Sequence, residues 1–135
     1  MEKSRLVFDT GPLFLYFAED KLVKGMFDDI RKEGVEGYTC ETSVTEFYYK
    51  TCEKLGREVA EVRHASVRHA CLSIMPVDER LTSVAGVLKC VHRGKLSLAD
   101  AYIVAVAKAH RGTLVTTDPR IAELDLVPTR LLRVP

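Results

Sequence analysis

The segment that most constrains the fold is residues 98–109, where only Asp100 and Lys108 carry a charge. A helix built on this segment is apolar on every face, and such helices are buried. Basic residues in the last turn and Gly112 just beyond it predict where the helix ends. The β-branched run Thr113–Thr116 that follows predicts a short buried strand. We therefore expect the chain to be organised around a central helix and the strand that returns beside it.

This helix and strand are expected to bring two distant carboxylates together. The helix extends roughly 20 Å in one direction, and the strand returns about 15 Å. Asp118, just past the strand, then lies near Asp100 in the first turn of the helix. An unpaired carboxylate at the end of a buried helix costs several kcal/mol, and a second one beside it raises that cost. We therefore expect a positive charge between them.

Short apolar runs alternate with helical patterns along the whole chain. Strands are predicted at 6–8, 37–40, 72–75, 113–116 and 131–134. Helices are predicted from Pro12, at 21–32, 42–55 and 57–70, after Asp78 to near Gly94, at 98–110 and at 119–124. This alternation predicts an α/β fold, a single-domain three-layer sandwich over residues 1–135 with a short, mainly parallel central sheet.

Composition excludes several classes of protein. With 47% apolar residues, disorder is not expected. A formal net charge of +1 argues against a protein that binds polyanions over its whole surface. The four cysteines show no zinc-like spacing, so we expect reduced, buried thiols. No secretory signal is visible, and no apolar run is long enough to span a membrane, so a cytoplasmic location is expected.

Four acidic residues are expected at one edge of the sheet. Asp9 and Asp118 each follow a predicted strand, while Glu46 and Asp100 lie in the first turns of predicted helices. In α/β layers, strand ends and helix starts share the edge where ligands bind. Each acid also fits a helix cap by itself: Ser43-x-x-Glu46 and Ser97-x-x-Asp100 match capping boxes, and Asp9 and Asp118 suit N-cap positions.

A cluster of the four carboxylates would have a specific chemical use. Hard divalent cations take several oxygen ligands and no thiolates, so the set predicts Mg²⁺ or Mn²⁺ rather than Zn²⁺. Such an ion lowers the pKa of a bound water and neutralises charge that develops on phosphate oxygens. Phosphodiester hydrolysis is the reaction that this chemistry favours.

Four motifs together resemble the PIN domain family: Asp9-Thr-Gly-Pro12, Ser43-Val-Thr-Glu46, Leu98-Ala-Asp-Ala101 and Leu114-Val-Thr-Thr-Asp118. PIN domains are small α/β ribonucleases that include the VapC-type toxins of toxin–antitoxin pairs. The resemblance implies a metal-dependent endoribonuclease whose ion is held by the four acids, with the hydroxyls of Thr10 and Thr116 near it. It also implies an RNA substrate, an antitoxin protein as partner and a homodimer.

Further residues are candidates for contacts with partners. Lys95, Arg111 and Arg120 could hold an RNA backbone at the rim of the acidic site. Apolar residues of the early helices could contact the antitoxin, namely Leu13, Phe14 and Met26. Two other functions remain open: a non-catalytic PIN-like module for RNA binding or assembly, and a structure-specific DNA nuclease.

Overall fold

Strands and helices alternate along the chain in the predicted order. The structure is a computed structural model that describes residues 3–134. Within them the elements are β1 (Ser4–Phe8), α1 (Thr10–Phe17), α2 (Lys21–Arg31), β2 (Val35–Cys40), α3 (Glu41–Leu55), α4 (Arg57–Arg68), β3 (Ser73–Met75), α5 (Glu79–Val91), α6 (Leu98–His110), β4 (Thr113–Thr116), α7 (Pro119–Leu124) and β5 (Thr129–Leu131).

The sheet is parallel in all its described pairings, with the strand order β3-β2-β1-β4-β5. Val7 of β1 lies between Tyr38 of β2 and Leu114 of β4. The chain builds outward from β1 through β2 to β3 and then continues with β4 on the other side of β1. In α/β sheets, the crevice beyond the strand ends at such a reversal is where ligands bind. Here it lies between the ends of β1 and β4.

Two apolar cores, one on each face of the sheet, confirm the predicted three-layer arrangement. Val7 and Leu114 belong to the core that α5, α6 and α7 cover. Phe8 and Val115, the next residues along the same strands, belong to the core covered by α1 to α4. This alternation is what parallel strands buried on both faces require.

Helix α6 is buried as predicted, with residues 103–107 at most 1% exposed. It ends at His110 as predicted, but the residue in the left-handed conformation after it is Arg111 (φ 51°) and not Gly112. Gly112 is needed for a different reason. A Cβ there would lie 2.9 Å from Val7 Cγ2 and 3.1 Å from the carbonyl oxygen of Arg5, so the glycine allows the chain to pass close to β1.

Two further expectations are corrected. The last strand forms at Thr129–Leu131 rather than at 131–134, because the parallel register opposite β4 begins with Thr129 beside Leu114. Leu13 and Met26 were expected to face an antitoxin, but they lie in the core at 1% and 5% exposure. Within the described residues no helix is long and apolar enough to cross a membrane.

Candidate functional site

Asp9 lies directly after β1, in the crevice between the ends of β1 and β4. It is the N-cap of α1, where its Oδ1 accepts a hydrogen bond from the Thr10 amide at 2.8 Å. Its Oδ2 accepts a second bond from Thr116 Oγ1 at 2.8 Å. The side chain is 7% exposed. The carboxylate is therefore held from two elements while part of it still faces the crevice.

Glu46 reaches the same crevice from α3. The predicted capping box with Ser43 does not form, because α3 begins earlier, at Glu41, and places Glu46 in its second turn. Glu46 Oε1 instead accepts a hydrogen bond from Thr10 Oγ1 at 2.7 Å, and its Oε2 lies 3.2 Å from Lys50 Nζ. The contact with Thr10 joins Glu46 to the start of α1, next to Asp9.

Asp100 and Asp118 cap the helices on which they stand. The Asp100 amide donates to Ser97 Oγ at 3.1 Å and the Ser97 amide donates to Asp100 Oδ2 at 3.4 Å, which completes the predicted capping box of α6. Asp118 Oδ1 accepts from the Arg120 amide at 2.9 Å at the start of α7. A carboxylate offers about four acceptor positions, so capping leaves each of them able to bind a further group.

Capping and clustering occur together in this structure. All four carboxylates line one cavity of about 540 Å³ at the ends of β1 and β4. Helix N-termini and strand ends meet at this edge, so residues that cap three different helices also face one another. The lining of the cavity is Asp9, Thr10, Gly11, Phe14, Glu46, Lys50, Thr51, Lys54, Leu55, Arg63, Asp100, Thr117 and Asp118.

The acids in this cavity influence one another electrostatically. Burial raises the pKa of Asp9 to about 6, the hydrogen bonds from Thr116 and Thr10 oppose that rise, and the charges of Asp100 and Glu46 add to it. Burial likewise raises the pKa of Asp100 against its bonds to Ser97, and the charges of Asp118 and Glu46 raise it further. Asp9 and Asp100 therefore lie where a negative charge is unfavourable unless a cation is close to them.

The donor set fits a hard divalent cation. Among the described lining residues the ionisable oxygen donors are carboxylates, accompanied by threonine hydroxyls, and neither histidine nor cysteine takes part. Between residues 3 and 134 no three acidic, histidine or cysteine side chains are already close enough to enclose an ion. Binding would therefore require the carboxylates to turn toward one another, which the charge of a cation favours and their mutual repulsion otherwise opposes.

The threonines of the site have different positions. Thr10 donates to Glu46, and Thr116 is fully buried, donating to Asp9 while its oxygen accepts from the Asp118 amide at 3.1 Å. Both hydroxyls thus orient acidic residues. The sequence leaves open whether the Thr116 or the adjacent Thr117 hydroxyl faces the cavity, and in the structure Thr117 lines it. Thr117 follows the last residue of β4, and burial separates the two residues, since Thr116 is fully buried and Thr117 is partly exposed.

The structure does not bring the three predicted RNA-contacting cations into the cavity lining. Arg111 is at the opposite end of α6 from Asp100, and 13 helical residues separate those ends by roughly 20 Å. Lys95 lies in the turn before α6, and Arg120 is an exposed side chain 3.5 Å from Asp118. Different cations line the cavity: Lys50, Lys54 and Arg63.

These three cations come from the hairpin formed by α3 and α4. The Arg63 guanidinium lies over the ring of Phe17, 5.3 Å from its centroid, and Lys50 pairs with Glu46. The cavity is therefore acidic on one side and basic on the other. Sequence reasoning missed Lys54 and Arg63 because only the packing of α3 beside α1, and of α4 against α3, places them at the cavity.

Comparisons with known proteins agree with this fold. The sequence profile described as "PIN domain" matches residues 6–126, a range that includes all four acids, and a comparison with curated proteins gives no match. Among solved structures, the chain is similar to DNA-bound VapBC from Salmonella typhimurium, with a TM-score of 0.73 and 14% identity over 94% of this chain and 97% of that chain.

Two other solved structures have the same fold. One is the Mycobacterium tuberculosis toxin VapC20, described as cleaving the sarcin–ricin loop (TM-score 0.71, 16% identity, 90% of this chain and 96% of that chain). The other is VapBC2 from Rickettsia felis bound to a promoter DNA fragment (TM-score 0.71, 15% identity, 94% and 98%). At these identities the similarity shows the fold, and the profile match over most of the sequence shows that the chain belongs to the PIN domain family.

Proposed function

We propose that this protein is a divalent-metal-dependent endoribonuclease that acts as the toxin of a toxin–antitoxin pair. The observation that carries the proposal is that four carboxylates from four separate segments line one cavity beside the ends of β1 and β4. Burial raises the pKa of Asp9 to about 6 and the charges of Asp100 and Glu46 add to that rise, so a counter-charge beside these acids would be favourable. Mg²⁺ or Mn²⁺ is the counter-charge that such oxygen ligands favour.

Each residue of the site has a part in this proposal. Asp9, Asp100, Glu46 and Asp118 would hold the ion, which supplies an activated water and neutralises charge on the phosphate oxygens. Thr116 fixes the orientation of Asp9 through its 2.8 Å hydrogen bond, and Thr10 fixes Glu46 at 2.7 Å. These bonds fix Asp9 and Glu46, which limits the movement needed to bring the carboxylates around an ion.

The basic side of the cavity supports a nucleic-acid substrate. Lys54 and Arg63 form no ion pair within residues 3–134, whereas Lys50 is paired with Glu46. A strand whose scissile phosphate lies among the acids could place a neighbouring phosphate against Lys54 and Arg63. These two cations take the role that the sequence alone suggested for Lys95, Arg111 and Arg120.

The partners follow from the same proposal. The structural neighbours include VapBC complexes, which supports an antitoxin as the binding partner of this chain in the cytoplasm. Val87 and Val91 lie one turn apart on α5 and are 61% and 68% exposed. A homodimer is part of the same proposal, and these two valines would be buried if α5 lay at its interface.

Asp100→Asn tests the proposed activity. We expect the wild-type protein to cleave single-stranded RNA with Mg²⁺ or Mn²⁺ and to lose cleavage when EDTA is added. Asp100→Asn is expected to lower the rate at least about a hundredfold, because an amide removes one anionic ligand. The measurement is a cleavage assay on RNA and on DNA of the same sequence, with circular dichroism to check the fold.

Ser97→Ala is the matched control for this variant. It breaks the same capping box at a cost of about 1 kcal/mol but keeps the Asp100 carboxylate, so it should retain cleavage. RNA that the wild-type protein binds without cutting would indicate a non-catalytic module, and cleavage of DNA alone would indicate a DNA nuclease. Either result contradicts the proposal.

A second prediction concerns the salt dependence of RNA binding. In an Asp100→Asn background that binds without cutting, Lys54→Gln and Arg63→Gln should each weaken binding to a short single-stranded RNA of mixed sequence. Each substitution removes one cation from the RNA backbone, so the slope of log K against log salt should become less steep by about 0.7. Binding is measured by fluorescence anisotropy at several salt concentrations.

Lys108→Gln provides the control for charge alone, since Lys108 lies near the far end of α6 and does not line the cavity. It should leave the slope nearly unchanged. Equal effects from Lys108, Lys54 and Arg63 would show that RNA responds to overall charge, and the proposed path across α3 and α4 would then be wrong.

A further inference from the structure

Thr117 occupies the space where a side chain on residue 11 would lie. Thr116 is fully buried, whereas Thr117 lines the cavity beside Gly11 at the start of α1. A Cβ built on Gly11 would lie 2.1 Å from Thr117 Oγ1 and 3.0 Å from both its Cβ and its Cγ2. The Thr117 side chain therefore rests directly on the backbone of Gly11, in the same cavity as Asp9 and Asp118.

The glycine at position 11 is explained by this contact and not by its backbone conformation. Gly11 lies within α1 and is not among the glycines with positive φ in the described chain, so the helix itself would accept another residue. Glycine is a poor helix former, and α1 has only eight residues. The use of a glycine here is accounted for by the need to leave room for Thr117.

The Thr117 hydroxyl is unused by the protein. None of the residues 3–134 forms a hydrogen bond with it, whereas the neighbouring Thr116 and Thr10 hydroxyls bind Asp9 and Glu46. A hydroxyl can donate one hydrogen bond and accept two. This one is available to a ligand at the wall of the cavity that also carries Asp9, Asp100 and Asp118.

We infer that Thr117 is a positioning residue of the carboxylate site. Its hydroxyl forms a hydrogen bond with a water molecule that a divalent cation holds, and Gly11 leaves the space that this hydroxyl occupies. The inference rests on the proposed metal-dependent function and assigns that site a side chain outside the four acids. A hydrogen bond from the hydroxyl to a ligand of the ion orients that ligand and stabilises the bound state, so removal of the hydroxyl should weaken binding of the ion itself.

The test measures Mn²⁺ binding in the absence of RNA, with electron paramagnetic resonance used to quantify the free ion. Thr117→Val keeps the shape of the side chain and removes the hydroxyl, and it should lower Mn²⁺ affinity about tenfold. Thr117→Ser restores the hydroxyl and should bind Mn²⁺ within about twofold of the wild-type protein. The melting temperatures of the metal-free variants should stay close together, because the hydroxyl has no partner among residues 3–134.

Gly11→Ala supplies an independent test of the contact. Its Cβ would displace the Thr117 side chain, so Mn²⁺ affinity should fall, and the double variant with Thr117→Ala should bind no more weakly than Thr117→Ala alone. Gly25→Ala is the matched control, a helical glycine with no atom within 4 Å of its added Cβ, and it should leave affinity unchanged.

The outcomes separate this inference from the proposed function. Wild-type affinity in Thr117→Val, or a decrease in Thr117→Ser as large as that in Thr117→Val, would overturn the role of the hydroxyl while the metal site stands. A wild-type protein that binds no Mn²⁺ contradicts both.

Discussion

Asp9→Asn is expected to make the metal-free protein more stable at neutral pH while abolishing RNA cleavage. In the folded protein the pKa of Asp9 is about 6, against an ordinary value of 3.8, so folding at neutral pH holds a charge in an unfavourable place. That difference corresponds to a penalty on the order of 3 kcal/mol. An amide carries no charge but bonds less well to Thr116 and Thr10, which offsets about 1 kcal/mol of the gain.

The direction in which stability changes with pH tests whether the charge of Asp9 causes the difference between the two proteins. Because the folded protein binds the Asp9 proton more tightly than the unfolded chain, the stability from this group is present at low pH and is lost as pH rises through about 6. The free energy of unfolding is measured by urea titration in EDTA at about pH 4.5 and about pH 7.5. The variant should exceed the wild-type protein at the higher pH and lose that advantage at the lower one.

Comparing wild type with Asp9→Asn at each pH removes the contribution of other acids, whose effect on stability has the opposite pH dependence. The Arg5 and Arg68 side chains lower the pKa values of Glu36 and Glu41, so those two groups lose their contribution as pH falls. Asp20→Asn changes an N-cap carboxylate outside the cavity and should shift stability by less than about 0.5 kcal/mol. A gap between wild type and Asp9→Asn that is the same at both pH values would exclude the assigned electrostatic cause.

The fold could be predicted largely from local patterns. Residues 103–107 are apolar on all sides, and only burial between a sheet and other helices satisfies such a helix. Asp78 and Ser97 mark predicted helix starts, and each side chain accepts a hydrogen bond from an amide of its own helix. Sequence therefore predicted the order of the elements, because both burial and capping are local in origin.

The expectations that were wrong depend on contacts between distant segments. Position 112 is glycine because β1 passes close to it, which no local pattern reveals. The predicted capping box at Glu46 is absent because β2 leads directly into α3 two residues before Ser43. The same limit applies to the basic side of the cavity, where Arg63 lies beside α1 only after α4 packs on α3.

The four acids show why motif and structure give complementary information. Each could be explained as a helix cap, and for Asp9, Asp100 and Asp118 the structure shows the capping bonds. That these acids also share a cavity could be suggested from the sequence only by the rule that ligands bind beyond the carboxyl ends of parallel strands. Capping sets where each carboxylate stands, and the parallel topology brings those positions together.

The second large effect expected is stabilisation of the protein by a divalent cation. A ligand that binds only the folded state at about 100 times its dissociation constant adds about 2.7 kcal/mol. For a chain of 135 residues, a gain of this size should raise the melting temperature by about 10 °C. The cation removes the repulsion among the four carboxylates, so the gain should be larger above pH 6, where Asp9 is ionised, than below it.

The most direct test of this account is therefore a thermal melt of the wild-type protein across a Mn²⁺ titration, at constant ionic strength and a pH above 6. We predict a saturable rise in melting temperature that Asp9→Asn and Asp100→Asn largely lose and Asp20→Asn keeps. A flat wild-type titration, or an equal rise in all four proteins, would contradict the claim that a divalent cation holds these carboxylates together.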